Sequence, residues 1–209
     1  MRRLIFLVLA IAACRQPDPP PIGAGPFTDD FERAEIGSSY RATADVYRIK
    51  EGALNVSAAY NHPLWLRRKL PENAAIELDA WSRSPAGDIK LEIWGDGESF
   101  AETRGAYTST GYVFVFGGWG NSKSIIARGN EHGKDVVSRT EPKVTVGKKY
   151  HFKIVRKGGR IDWFIDDPAT PFLSIDDPQP LSGAGHEYLG LNDWEADLWF
   201  DNLSIRKLD

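Results

Sequence analysis

The sequence predicts an all-β fold, a two-sheet antiparallel sandwich, and three observations carry that expectation. Short runs rich in Val, Ile, Tyr, Phe and Trp alternate with polar residues and are punctuated by Gly, Pro, Asn and Asp. No window of helical length shows an apolar period of 3.6 residues, and no fixed-period repeat points to a propeller or solenoid. Some dozen such runs, spaced by about 8–12 residues, match the pattern of a sandwich.

The strands follow in order. Residues 46–49 and 53–56, joined by Glu51-Gly52, read as a hairpin, followed by runs at 64–70, 75–81 and 89–94. The middle of the chain supplies 112–116, 124–128 and 136–139. Residues 149–156 and 160–166 flank a Lys157-Gly158-Gly159 turn, and 172–175, 188–191 and 198–206 complete the set. Alternation assigns faces. Ile76, Leu78 and Ala80 point inward, leaving Glu77, Asp79 and Trp81 outside; Ile89, Leu91 and Ile93 point inward, leaving Lys90, Glu92 and Trp94 outside. Trp65 and Arg67 likewise oppose Leu64 and Leu66. Three strands thus place a tryptophan and a charge away from the core. Such a face suits a sugar, whose C–H surface stacks on indole while its hydroxyls bond to carboxylates and arginine. The alternative is burial of these tryptophans beneath covering loops, since tryptophan is on average highly buried.

The N-terminus carries a different message. Met1-Arg2-Arg3 and the apolar run 4–11 have the layout of a secretory signal, too short for the roughly 20 residues of a membrane span. Ile11-Ala12-Ala13-Cys14 resembles a bacterial lipobox, which implies cleavage before Cys14 and acylation of that residue. Two or more acyl chains suffice for stable anchoring. Prolines at 17, 19, 20 and 21 then make a stiff, extended spacer. The expected organisation is a lipoprotein signal peptide at 1–13, a lipidated Cys14 and Pro-rich linker over 14–26, and one β-sandwich domain over 27–209. The expected location is the bacterial cell envelope, with the domain outside the cytoplasm and the lipid as its membrane contact. Cys14 is the only cysteine, so the domain must stand on its core without disulfides. The whole chain has a formal charge of −3, and removing Arg2 and Arg3 makes it more acidic, which argues against a nucleic-acid partner.

Phe27-Thr28-Asp29-Asp30-Phe31-Glu32 at the start of the domain and Phe200-Asp201-Asn202-Leu203-Ser204-Ile205 at its end resemble those of the concanavalin A-like lectin/glucanase group of jelly-roll domains. The Glu51-Gly52-Ala53-Leu54 hairpin, Lys148-Lys149 before Tyr150–Ile154, and Arg160-Ile161-Asp162-Trp163-Phe164-Ile165-Asp166 add to the likeness. A looser similarity is to 3-keto-disaccharide hydrolase-like envelope domains. The resemblance implies an antiparallel jelly-roll sandwich with its first and last strands side by side, and it covers lectins, hydrolases, lyases and adhesion modules alike.

Within that group, family 16 glycoside hydrolases carry Glu-x-Asp-x-(x)-Glu on one strand. Glu77-Leu78-Asp79 supplies the first half, but positions 81 and 82 are Trp and Ser, and Glu92 on a neighbouring strand is the substitute on offer. Half a motif argues against that hydrolysis. The candidate ligand-binding residues are therefore Trp81, Trp94, Trp119 and Asn121, with Glu77, Asp79 and Glu92 as hydrogen-bond partners. These three carboxylates become catalytic only if the protein is a glycoside hydrolase or polysaccharide lyase. Gly117, Gly118 and Gly120 around Trp119 permit close backbone approach, and the loops at 128–135 and 193–195 are candidate rims of the same cleft. Asp29, Asp30 and Asp201 are a weak candidate for structural Ca²⁺, set against simple turn-capping; no other cofactor is expected. A glycan is the expected soluble partner, with a structural or adhesion lipoprotein as a further alternative.

Overall fold

The computed structural model describes residues 20–23, 25–104, 107–134 and 136–209; Cys14 and the rest of 1–19 lie outside the described residues. The first sheet contains β1 (Phe27–Asp29), β3 (Tyr47–Lys50), β4 (Ala53–Ser57), β6 (Ala74–Ser82), β11 (Tyr150–Lys157), β12 (Arg160–Ile165), β13 (Leu173–Asp176) and β15 (Asp197–Lys207). Its order is β13-β12-β11-β6-β15-β4-β3, with β1 also pairing β15. The second sheet contains β2 (Tyr40–Ala42), β5 (Leu64–Leu66), β7 (Ile89–Gly95), β8 (Tyr112–Gly117), β9 (Lys123–Arg128), β10 (Val136–Arg139) and β14 (Tyr188–Asn192), in the order β10-β9-β8-β7-β14-β5-β2. Every strand pair is antiparallel, and β1 lies beside β15 with Phe27 opposite Ile205. This is the two-sheet antiparallel sandwich that the strand pattern predicts, in the jelly-roll form that the family resemblance implies. Among the described residues no helix is long and apolar enough to cross a membrane.

The alternating apolar residues meet between the sheets. Ile76, Leu78 and Ala80 of β6 face Ile89, Leu91 and Ile93 of β7 within one buried cluster. Trp163 is its aromatic centre, with Phe114, Phe116, Phe152 and Phe172 edge-on at centroid distances of 5.6, 6.3, 5.2 and 5.1 Å. Edge-to-face rings add to the area they bury. The core also takes in Ile22, whose N–H donates to the Lys69 carbonyl at 2.9 Å. Packing therefore reaches back into the stretch expected to be spacer. That N-terminal segment meets the body beside Leu70, which bonds to Glu187, which bonds to Gly95 at the C-terminal end of β7.

Trp94 departs from the alternation. Tyr188 pairs with Gly95 but Leu189 pairs with Ile93, so Trp94 is the extra residue of a bulge and adopts φ 57°. The bulge swings its ring into the core, where Nε1 donates to the Pro71 carbonyl at 3.1 Å and the Arg156 guanidinium lies 4.8 Å from the ring centre. A single added residue has reversed the face on which strict period-two reading places it.

The outward face of the second sheet is roofed. After β7 the chain reaches Asn61, whose carbonyl accepts the Ala101 N–H at 2.9 Å, and residues 107–111 lead back into β8. Glu92 pins its return: one carboxylate oxygen accepts the Thr110 and Gly111 N–H groups, each at 2.9 Å, and the Thr110 hydroxyl at 3.2 Å. Trp65 packs on the same face against Gly190, where a Cβ would lie 3.0 Å from its ring, and donates to the Ser99 carbonyl at 3.1 Å. Val113, Val115, Ile125 and Ala127 form a separate buried cluster on that side.

Two predictions follow from this packing. Trp94→Ala is expected to destabilise the domain by about 3–5 kcal/mol in denaturant unfolding, because it opens a large cavity rather than stripping a surface platform. Glu92 is fully buried, and burial raises its carboxyl to about 7 despite the bonds from Ser109, Gly111 and Thr110 that oppose the shift. The folded state thus favours its protonated form. That stabilisation is complete below the usual value of 4.5 and is lost as pH rises through about 7. The melting temperature should fall between pH 5 and pH 8, and Glu92→Gln should flatten the dependence by up to about 3 kcal/mol. An unchanged slope in the variant contradicts this assignment.

Candidate functional site

A cleft of about 520 Å³ opens at the end of the second sheet where β7 and β5 begin and β14 and β8 end. Asp88 and Lys90, Trp119 and Gly120, Glu131 and His132, and the 194–196 turn line it together with Asn61, Ala86 and Tyr107. Its loops are stitched together by backbone bonds. Asp88 N–H donates to the Gly117 carbonyl at 2.9 Å, Tyr60 N–H to Trp194 at 2.9 Å, and Asn61 N–H to Asp193 at 2.9 Å. Asp193 in turn accepts the Ala59 N–H at 3.2 Å and the Ala196 N–H at 2.9 Å.

Lys90 organises the floor. Its side chain extends from the outward face of β7 and is only 4 % exposed; Nζ lies 3.0 Å from Asn61 Oδ1 and 2.9 Å from Glu131 Oε2. Burial alone lowers an ammonium pKa, but the neighbouring Asp88 and Glu131 outweigh it and hold Lys90 above its usual range. Burial raises the carboxyl of Asp88, and raises that of Asp193 to about 7. Neighbouring Asn192, opposite Lys90 in the strand register, is buried with its side-chain Nδ2 unpartnered. The Tyr107 hydroxyl, on the cleft wall, is also without a protein partner.

Two tryptophans flank this floor. Trp119 is 43 % exposed and sits in a left-handed turn (φ 52°), with His132 edge-on at 5.8 Å and Lys123 Nζ 5.1 Å from its ring centre. Gly117 and Gly120 have φ of 72° and 67° in the same turn, which explains the glycine content of this loop. Trp194 meets Tyr60 edge-on at 5.3 Å, and Arg104 stacks 3.9 Å over Tyr60 while pairing with Glu195 at 2.6 Å. The cleft therefore offers apolar ring surface beside fixed polar groups, the combination typical of small-molecule sites.

The structure brings Trp119 together with Glu131 and His132 of the first predicted rim loop and with Trp194 and Glu195 of the second. It places the other candidates elsewhere. Trp94 is in the core. Trp81 stacks on Trp199 at 5.7 Å on the outward face of the first sheet, where Lys149 lies 4.4 Å from its ring centre and leaves it 9 % exposed. Asn121 spends its amide on the backbone of Val144, donating at 2.8 Å and accepting at 2.9 Å, so it holds the loop rather than facing a ligand.

The carboxylates do not form one centre. Glu77 and Asp79 project from the outward face of the first sheet, where His151 lies 3.4 Å from Glu77 and 2.9 Å from Asp79. Glu92 projects from the outward face of the other sheet, with the core between them. The alternation placed each correctly outward, but outward means opposite directions for the two sheets. Asp29 is also committed: it accepts from Arg33 at 2.5 and 2.9 Å and from the Tyr40 hydroxyl at 2.7 Å. Asp30 caps Glu32 N–H at 3.1 Å, and Asp201 pairs with Lys149 at 3.1 Å. No three His, Cys, Asp or Glu side chains among the described residues are grouped to hold a metal. Asp88, Asn61 and Tyr107 escaped the sequence reading because their roles arise only when the loops converge. Lys90 was legible as outward-facing but not as buried.

The fold has many solved counterparts. A carbohydrate-binding module from Bacillus subtilis aligns at TM-score 0.60 and 15 % identity, covering 83 % of this chain and 98 % of its own. A lichenase from a mouse hindgut metagenome aligns at 0.61 and 10 % identity, covering 88 % and 99 %. A laminarinase from Flavobacterium sp. UMI-01 aligns at 0.57 and 8 % identity, covering 87 % and 99 %. At these identities the likeness is one of fold. No curated protein matches the sequence. The model of one protein family, described as Farnesoic acid 0-methyl transferase, matches residues 99–203, which span half of the chain and include Trp119, Glu131 and Trp194. The chain belongs to that family.

Proposed function

We propose that this domain binds carbohydrate in the cleft between Trp119 and Trp194. The observation that carries the reading is the cleft's construction: two tryptophans and a tyrosine hydroxyl around a floor of fixed charge and amide groups. Indole faces complement the C–H surfaces of a pyranose, and Asn61, Asp88, Glu131 and Tyr107 offer acceptors and donors to its hydroxyls. The fold neighbours include a carbohydrate-binding module and two glucan-degrading enzymes, which supports the choice of ligand class. The name of the matched family denotes methyl transfer to farnesoic acid, a long isoprenoid carboxylic acid. A floor carrying Asp88, Lys90 and Glu131 is a poor bed for such a chain, and a polyol satisfies it better. The separation of Glu77 and Asp79 from Glu92, on opposite faces of the sandwich, gives no support to a mechanism using all three carboxylates and favours binding over hydrolysis.

The proposal extends to display of the domain at the cell envelope by lipid on Cys14. Residues 20–22 join the body beside Gly95, whereas the cleft opens beside Asp88, about 20 Å away along β7. A tether arriving there holds the cleft on the far side of the domain from the anchor.

On a glycan array, Trp119→Ala and Trp194→Ala are each expected to weaken binding about tenfold or more with unchanged melting temperature. Trp81→Ala should bind as the parent does; the reverse pattern moves the site to the other sheet. Metabolic labelling with an alkyne fatty acid should tag the full-length protein in a bacterial host and fail on Cys14→Ser. Equal labelling of the two rejects the anchor.

A further inference from the structure

Resting on the reading of the cleft as a carbohydrate site, we infer that it extends past Trp194 to an outer subsite at Phe100 and His62. Its ligand is then an oligosaccharide chain laid across the strands, not a single terminal sugar. Trp119, Trp194 and His62 stand at one end of the second sheet: Trp119 follows β8, Trp194 follows β14 and His62 precedes β5, while Lys90 between them belongs to β7. These four strands are consecutive in the sheet, in the order β8-β7-β14-β5. With neighbouring strands about 4.8 Å apart, the three steps span about 14 Å, more than one sugar ring covers. The rings therefore form a line across the strand ends rather than a wall around one sugar.

Phe100 is built into that line. The chain is fixed on both sides of it: the Ser99 carbonyl accepts the Trp65 Nε1–H at 3.1 Å, and the Ala101 N–H donates at 2.9 Å to the carbonyl of Asn61, itself a lining residue of the cleft. His62 backs the Phe100 ring, with centroids 5.3 Å apart and planes 28° from parallel, and the His62 ring is held in turn by Nδ1, 2.8 Å from the Ala59 carbonyl. Phe100 nevertheless stays 44 % exposed. A lone exposed apolar side chain calls for no explanation. This one continues the aromatic surface of the cleft. Tyr60, two residues before His62, meets Trp194 edge-on at 5.3 Å, and Arg104, its side chain 59 % exposed, lies 3.9 Å over Tyr60. The strip beyond Trp194 thus offers guanidinium donors to sugar hydroxyls and then a further ring face to the C–H surface of the next sugar.

Isothermal titration with cello-, laminari-, xylo- and chito-oligosaccharides, each as dimer and hexamer, tests this. In a series that binds, the hexamer should bind about tenfold or more tightly than the dimer, and Phe100→Ala should remove most of that gain. The affinity for the dimer and the melting temperature should stay as in the parent, and Phe100→Tyr, which keeps the ring, should keep the gain. A hexamer bound no more tightly than its dimer overturns the inference, as does a Phe100→Ala variant that weakens both lengths equally or neither. If no series binds, the inference also falls, whereas the carbohydrate reading falls only if a broad glycan array gives no Trp119-dependent signal either.

Discussion

A single buried ammonium holds the cleft end of this molecule together. Lys90 rises from β7 on the outward face of its sheet, and its partners come from separate parts of the chain: Asn61 before β5, Glu131 from the loop after β9, and the charges of Asp88 and Asp193 beside it. Burying a charge is costly unless opposite charge and hydrogen bonds accompany it. The loops are therefore obliged to converge on Lys90, and their convergence creates the cleft. Such a cluster contributes specificity of arrangement more than net stability, because the desolvation of each ion offsets much of the attraction. Its product is a rigid wall on which Trp119 and Trp194 are held apart.

The second sheet differs from the first in what covers it. On the first sheet the outward face is closed by long side chains: Lys149 over Trp81, and Arg83 over Trp199 at 3.9 Å while pairing with Glu51 at 2.7 Å. On the second, whole loops do the covering, and Glu92 fastens one of them through Thr110 and Gly111. Loops can leave a gap between them in a way that side chains lying flat cannot. The cleft occupies that gap, which explains why the exposed tryptophan is on this sheet and the stacked pair on the other.

Strand positions were largely legible in the sequence because period-two alternation follows directly from a face being buried. The predicted runs at 89–94, 112–116 and 160–166 lie within a residue of β7, β8 and β12. Alternation failed at Trp94, where a bulge inserts one residue, and no local composition announces a bulge. Site residues were harder. Trp119 in its glycine turn and the loops at 128–135 and 193–195 were readable as exposed, ligand-sized features. The grouping of Glu77 and Asp79 with Glu92 was not recoverable, since alternation distinguishes inward from outward but not which of two outward faces. The role of Asn121 was hidden for another reason: its partner, the Val144 backbone, is distant in sequence and has no signature of its own.

The seven indole N–H groups of this chain provide the most direct check on the central claim, that the ligand-binding face is the cleft built around Lys90. In a ¹⁵N-correlated NMR spectrum, titration with a binding glycan should move the side-chain signals of Trp119 and Trp194. Those of Trp65, Trp81, Trp94, Trp163 and Trp199 should stay in place. Movement of Trp81 and Trp199 without Trp119 and Trp194 would contradict the account.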